Sequence, residues 1–354
     1  MKRFFNIDLH CSVIRDVENI LLQLYSNKIK IDSNSISGHS LPLLGKMSST
    51  KYILQNKNWK MISPDFIKKF YIMHKKELES YDGFIVTHTP SFALFFELFR
   101  KPIIIVNSTR YEQPASNNSS LEQWNFIDLS LKRLYAKGLL IVISNNLYDQ
   151  LYIKTAINID SIMIPSLCEY TNTKRLEELN KNKLFLLYSS QKNPIKVIND
   201  VVVLNINQIK PYTFDTLAKF TAIIHIPYEI STMSIFEHYT MNCPLIFPTK
   251  EFLLKMYSNN ELNVYGSYSA LFNFNKNPST LDILLKDGWF EKMISYADFY
   301  NEEYFPYITY FDSFEDLEVK LKSIDFDLIS ENMKKFNVER KNKILDLWKK
   351  TLDI

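Results

Sequence analysis

The chain has 354 residues, with 42 lysines and arginines against 39 aspartates and glutamates, a formal charge of +3, and 46% hydrophobic and 14% aromatic content. That balance is globular and too nearly neutral for a charge-driven nucleic-acid binder, and no apolar run reaches the ~18–20 residues of a membrane span. Cys11, Cys168 and Cys243 are odd in number and far apart, which indicates neither a disulfide framework nor a zinc cluster and agrees with a reducing, cytoplasmic setting. The length predicts two domains, each with its own core.

The start, MKRFFNIDLHCSV, is broken by Asn6, Asp8 and His10 and reads as folded chain rather than a signal peptide. Arg3–Leu9 is a predicted strand, followed by a helix capped at Ser12 with an apolar stripe of Val13, Ile14, Val17, Ile20, Leu21 and Leu24. The polar loop between them lies at the carboxyl end of the strand, where open α/β sheets bind ligands. His10 is therefore a catalytic candidate, with a hydrogen-bonded structural histidine as the alternative. A second strand, Lys28–Ile31, leads to a polar loop holding Gly38, one of only six glycines, and beside it His39, an acceptor-binding candidate. Residues 41–60 carry no clear pattern. Ser63-Pro64 starts a helix over Phe66, Ile67, Phe70, Tyr71 and Leu78.

Phe84–Pro90 reads as a strand running past His88, then a short helix Phe92–Phe99, then the strand Ile103–Val106 and the cluster Asn107 to Glu112. Repeated strand, polar loop and helix units predict a parallel sheet with its loops on one edge. That edge would gather His10, His39, His88, Arg110 and Glu112, although Arg110 and Glu112 could simply pair with each other. A helix over Leu121–Lys137 ending at Gly138, the strand Leu139–Ser144, a helix after Asn145-Asn146 and the strand Ser161–Pro165 complete this half.

The second half opens with the strand Lys183–Tyr188 and a hydroxyl-rich loop, Ser189, Ser190, Gln191, Lys192, which can hold a diphosphate or lie solvated. Strands at Val201–Leu204 and Thr221–Ile226 flank a helix near Phe214–Lys219. The stretch from Thr221 to Lys250 then carries the most chemistry. Its strand is followed by Glu229, an N-cap at Ser231-Thr232, a helix containing Glu237, a turn at Asn242 where a left-handed residue is needed, and the strand Leu245–Phe247. The N–H groups and dipole of such a helix start bind phosphate, and two carboxylates beside it suit sugar hydroxyls. In the bland alternative, Glu229 is a solvated loop residue and Glu237 lies on the wet face of the helix. Beyond it are a helix from Glu251, an irregular region at 259–280, a helix near Leu281–Lys286, the strand Ile308–Phe311 and a helix over Phe314–Leu321. The basic helix Met333–Lys350 is expected to pack on the first domain through Phe336, Ile344, Leu347 and Trp348. Its lysines form a solvated face or a peripheral membrane contact.

Glu229 and Glu237 resemble the E-x7-E motif of GT-B glycosyltransferases, and EHYTMNCP (237–244) resembles that superfamily's E-x-x-x-x-G-x-P segment, with Asn242 in place of the glycine. The segments STRYE, IPSLCEYT and IPYEISTMSIFE are similar to glycosyltransferase-like proteins of large DNA viruses, which would place the chain in a host cytoplasm. The resemblance implies an α/β fold of two Rossmann-like domains with a cleft between them. Residues 1–168 would form an acceptor-side domain, 169–330 a nucleotide-sugar domain, and 331–354 a helix returning to the first. It implies transfer of a sugar from a nucleotide-diphosphate sugar to a glycan, lipid or protein acceptor, with no cofactor, no nucleic-acid partner and no metal. Asp325-Phe326-Asp327 fits a donor-metal pattern but lies away from the predicted site.

The implied donor-binding residues are Ser189, Ser190, Lys192, Glu229, Ser231, Thr232 and Glu237. Glu237 would hold ribose hydroxyls and Glu229 the sugar, with His39 and Arg110 on the acceptor side. The glutamate pair implies retention of anomeric configuration; inversion would instead need His10, His88 or Glu112 as base. Nucleotide-sugar epimerases and non-catalytic sugar-nucleotide binders remain alternative readings of the same fold. The sequence leaves the donor sugar, the acceptor and the oligomeric state open.

Overall fold

A computed structural model of the chain describes residues 1–37, 51–115, 119–189, 201–262 and 289–352. These fall into two units, one of residues 1–166 with the chain from Leu347 onward, the other running from Leu167 to Asp346. Each is built on one all-parallel sheet.

In the first unit the strands are β1 (Lys2–Asp8), β2 (Ile29–Ser35), β3 (Gly83–Val86), β4 (Ile103–Asn107), β5 (Leu140–Ser144) and β6 (Ile162–Met163), in the order β2-β1-β3-β4-β5-β6. The second sheet holds β7 (Leu184–Tyr188), β8 (Val202–Asn205), β9 (Ala222–His225), β10 (Leu245–Pro248) and β11 (Thr309–Phe311), in the order β11-β10-β9-β7-β8. Central strands such as GFIV and AIIH are buried throughout, as expected for parallel strands covered on both faces. In each sheet the first strand, β1 or β7, sits where the strand order reverses, the topological switch point beside which open α/β sheets bind ligands.

The helices follow from stripes and caps. In α1 (Cys11–Tyr25) the residues Val13, Ile14, Val17, Ile20 and Leu21 are buried. It begins one residue before the expected cap: His10 occupies the N-cap position and Ser12 lies buried in the first turn. In α2 (Pro64–Leu78) the Ser63 hydroxyl accepts from the Phe66 N–H and Pro64 supplies a preset first turn. Ser120 and Asn146 cap α3 (Leu121–Ala136) and α4 (Leu147–Ile157) in the same way.

The run expected as the helix Phe92–Phe99 is a 3-10 helix, Pro90–Phe99. It opens with a three-residue bond from the Phe92 N–H to the Thr89 carbonyl (2.8 Å), and Phe96 stacks on Phe84 of the sheet (centroids 4.2 Å). The second unit adds α5 (Phe214–Leu217), α6 (Met233–Thr240), α7 (Lys250–Ser258), α8 (Trp289–Ile294), α9 (Phe314–Ser323) and α10 (Phe326–Thr351).

Helix α10 starts seven residues before the expected Met333. The Asp325 carboxylate accepts from the Asp327 and Leu328 N–H groups, and Asp327 takes the Arg175 guanidinium (2.7 Å) and the N–H groups of Leu179 and Asn180. The Asp-Phe-Asp tripeptide is thus the start of a helix. Phe336 packs edge-on against Tyr239 and Tyr307 within the second unit, and in the first unit the Tyr25 hydroxyl donates to the Leu352 carbonyl (2.8 Å). The irregular region and the helix expected over 281–286 lie largely outside the described residues.

Candidate functional site

At the switch point of the first sheet the chain leaves β1 at Asp8 and β3 at Val86. The pairing of these strands stops at Asn6 and Ile85, so the N–H groups of the next residues on the β3 side have no strand to bond. Asp8 takes them instead. Its Oδ2 accepts from Thr87 (2.9 Å), His88 (2.9 Å) and Thr89 (3.1 Å), and its Oδ1 accepts from Leu9 (2.7 Å) and Thr89 (3.2 Å). Asp8 is fully buried; burial raises its pKa, against the N–H bonds that favour the charged carboxylate.

The rings of His10 and His88 stack above it, centroids 5.4 Å apart and 24° from parallel. His88 Nδ1 also meets the Thr89 hydroxyl (3.2 Å). Burial, and then the charge of Arg110, push the His88 pKa down to about 4, so at neutral pH it is an uncharged imidazole.

Arg110 and Glu112, which could have paired, do not. Arg110 Nη1 lies 3.3 Å from Asp149 Oδ1, and its guanidinium sits 5.5 Å from the Tyr148 ring centre. Asp149 wins because Asn146 has fixed it in the first turn of α4: the Asn146 amide donates to its carboxylate (2.7 Å) and accepts from its N–H (2.8 Å). Glu112 is enclosed and accepts from the Tyr152 hydroxyl (3.0 Å); burial pushes its pKa up to about 8. Structure therefore brings His10, His88 and Arg110 together and leaves Glu112 in the packed interior. His39 lies outside the described residues.

At the switch point of the second sheet β7 ends on Tyr188-Ser189 and β9 runs out through 226–232 into α6. Thr232 is the N-cap of α6, as expected; its hydroxyl meets Ser234 (2.9 Å) instead of a backbone N–H, and Ser231 precedes it. Asn242 closes the helix segment at φ 62°, the left-handed conformation its position called for. Glu229 is half-buried in the loop and accepts from the Ile230 N–H (3.1 Å).

Glu237 is not on a wet face: it is 6% exposed and accepts from the Tyr170 hydroxyl. Its charge also reaches Tyr188 and Tyr212, whose pKa values burial has already raised. Those two rings, with Ser189, Ile206, Asn207, Lys210 and Tyr228, line a cavity of about 440 Å³. Ser190 and Lys192 lie outside the described residues.

Sequence reasoning missed a second histidine pair under this edge. His225 Nε2 and His238 Nδ1 are 3.2 Å apart, both rings buried, and Tyr188 packs on each (5.2 and 5.1 Å). Burial pushes the His238 pKa down to about 3, and burial, then the charge of His238, pushes that of His225 well below the usual imidazole range. The available signal was a histidine closing an otherwise apolar strand, AIIH. Tyr170 and Asp8 were missed as well; neither has a local pattern, because their partners are 67 and about 80 residues away.

No protein-family model matches the chain, and no curated protein matches it. Solved structures do. HepE of Anabaena, in complex with UDP and glucose, is similar over 99% of both chains at 10% identity, with a TM-score of 0.52. The glycotransferase of kitacinnamycin (8% identity, 99% of both chains, TM-score 0.46) and MurG of Acinetobacter baumannii (9% identity, 99% of this chain and 100% of that one, TM-score 0.42) also align. At such identities the likeness is one of fold: two parallel α/β sheets with their helices, the architecture of two-domain GT-B proteins.

Proposed function

We propose that the chain is a GT-B glycosyltransferase whose second unit binds a nucleotide-diphosphate sugar. The observation that carries this reading is the conjunction at the second switch point. A helix start, two carboxylates eight positions apart and an aromatic cavity all occur within one unit. In this reading the base enters the cavity of Tyr188, Tyr212 and Tyr228. Glu237 accepts from the ribose hydroxyls, and the N–H groups that open α6, with Ser231 and Thr232, meet the diphosphate. Glu229 reaches the sugar. Charge developing on the leaving diphosphate is met by these fixed dipoles and by Lys192, without a metal. A UDP-sugar is the first donor to try, since HepE holds UDP and glucose.

The first unit takes the acceptor, with His10, His88 and Arg110 facing its hydroxyl. The glutamate pattern favours retention of configuration, which the anomer of the product reads directly. The acceptor is a glycan, lipid or protein hydroxyl. Epimerisation of the free nucleotide sugar, without any acceptor, is the outcome that would replace transfer.

Calorimetry on Glu237→Gln and Glu229→Ala tests the donor site. Gln keeps an acceptor for Tyr170 while removing the charge. A charged acceptor contributes about 1.5–3 kcal/mol per hydrogen bond, so Glu237→Gln should weaken UDP itself about tenfold, equivalent to ~1.4 kcal/mol. Glu229→Ala should spare UDP and weaken the UDP-sugar. If both folded variants bind both ligands like the parent, the donor-site reading fails.

A further inference from the structure

We infer that Asp8 is a positioning residue, whose carboxylate holds the His88 loop against the start of α1 so that His10 and His88 stay stacked. The inference rests on the first unit's edge being the acceptor edge proposed above. Three consecutive N–H groups, of Thr87, His88 and Thr89, converge on one buried carboxylate, the arrangement by which backbone concavities hold anions. Here the anion is supplied by the neighbouring strand.

Asp8 thus does for residues 87–89 what a β1 extension would have done for a continuing strand. Its other oxygen holds the Leu9 N–H, one residue before His10. The same turn is fastened from β2: Ser35 donates its hydroxyl to the Leu9 carbonyl (2.8 Å), and the Ile36 N–H donates to the Asp8 carbonyl (2.9 Å). Loops from three strands are therefore referenced to one residue, and both imidazoles sit within two positions of its contacts.

No neutral side chain of the same size replaces it. Asparagine has the shape of aspartate, but its amide nitrogen would face backbone donors with another donor. With one oxygen in place of two, asparagine can serve either the Thr87–Thr89 donors or Leu9 but not both. Part of this buried N–H set therefore loses its acceptor, and the loop or the start of α1 must move. A displacement of about 1 Å at a reacting group is enough to cost on the order of a hundredfold in rate.

The test uses the full chain labelled with ¹⁵N-histidine, with His10 and His88 signals assigned from His10→Gln and His88→Gln. In Asp8→Asn the His88 titration midpoint should rise by about one unit or more as the ring leaves its buried stack. The His225 and His238 signals should stay put and UDP affinity should be unchanged. Where transfer is assayed, kcat should fall while the donor KM stays the same.

Unchanged His10 and His88 signals in a folded Asp8→Asn protein would overturn the inference. Equal disturbance of both histidine pairs would do so too, since that is a general structural effect. A second measurement needs no variant: in the parent protein the amide protons of Thr87, His88 and Thr89 should be protected from exchange, and rapid exchange at all three would refute the assignment. Absence of UDP binding in parent and variant alike would count against the glycosyltransferase reading alone, because the histidine and exchange results do not depend on it.

Discussion

The two switch points invite comparison, because four of the six histidines in the chain form one pair at each. In the first unit the rings of His10 and His88 are half-buried and stack on each other, their loops fastened to the buried Asp8 carboxyl, with Arg110 close enough to act on His88. In the second, His225 and His238 satisfy each other by a ring-to-ring hydrogen bond, sealed under Tyr188 and Phe247. The same residue type thus serves opposite ends. The second pair spends one nitrogen of each ring on the other ring and lies sealed in the core, whereas the first pair stacks at a strand-end edge and is fastened through the backbone of Leu9 and His88. The charged groups differ as well: Arg110 and Asp149 sit at the first edge, while at the second Glu229 and Glu237 lie among tyrosines and neutral imidazoles.

If that contrast is right, the first unit should govern pH dependence, and the largest effect belongs to Glu112 in its packed interior. Its pKa of about 8 lies above the unfolded value of 4.5, so between those limits the folded state keeps a proton that the unfolded chain loses. Stability therefore falls as pH rises through this window, by at most roughly 1.4 kcal/mol per unit. Glu112→Gln, which cannot titrate, should gain on the parent by on the order of 3 kcal/mol between pH 5 and pH 8 in denaturant titrations. A constant difference would remove Glu112 from the account.

Next in size, His88→Ala should lower transfer about a hundredfold, the range of positioned acid–base groups, with UDP affinity nearly intact in calorimetry. Collapse of nucleotide binding in folded protein would reverse the assignment of the two units. His238→Leu should do the opposite, costing about 2 kcal/mol of stability because His225 is left with a buried, unbonded nitrogen. Replacing both rings with apolar groups should recover part of that loss. The smallest effect is expected at Tyr228→Ala, which removes one wall of the base cavity and should weaken UDP by about fivefold, ~1 kcal/mol, if an aromatic face stacks there. An equal loss for ribose 5-phosphate, which has no base, would move the base elsewhere.

Much of this architecture was legible from periodicity. Both sheets, the order of their strands along the chain and the special conformation at Asn242 follow from apolar runs bounded by proline and polar loops. Local patterns failed where geometry depended on distant partners. Nothing near Phe92 announces a 3-10 helix, whose Phe96 packs on Phe84 of the sheet. Helix α10 starts early because Asp327 finds Arg175, 152 residues away along the chain. Similarly, Arg110 chose Asp149 over its near neighbour Glu112 because α4 presents an already oriented carboxylate. The candidate site residues were named as types at strand ends, but the groups that position them, Asp8, Tyr170 and Asn146 through Asp149, were visible only once the chain was folded.

The anion already built into the first edge has a consequence for selectivity. A cradle of three N–H groups that its own chain has filled with the Asp8 carboxyl cannot be entered by phosphate, sulfate or a diphosphate. The opening of α6 is where the proposed donor would bring its own diphosphate. Inorganic anions in solution should therefore compete with the donor at the second edge and leave the histidine edge untouched, so that salt composition becomes a means of addressing one half of the protein at a time.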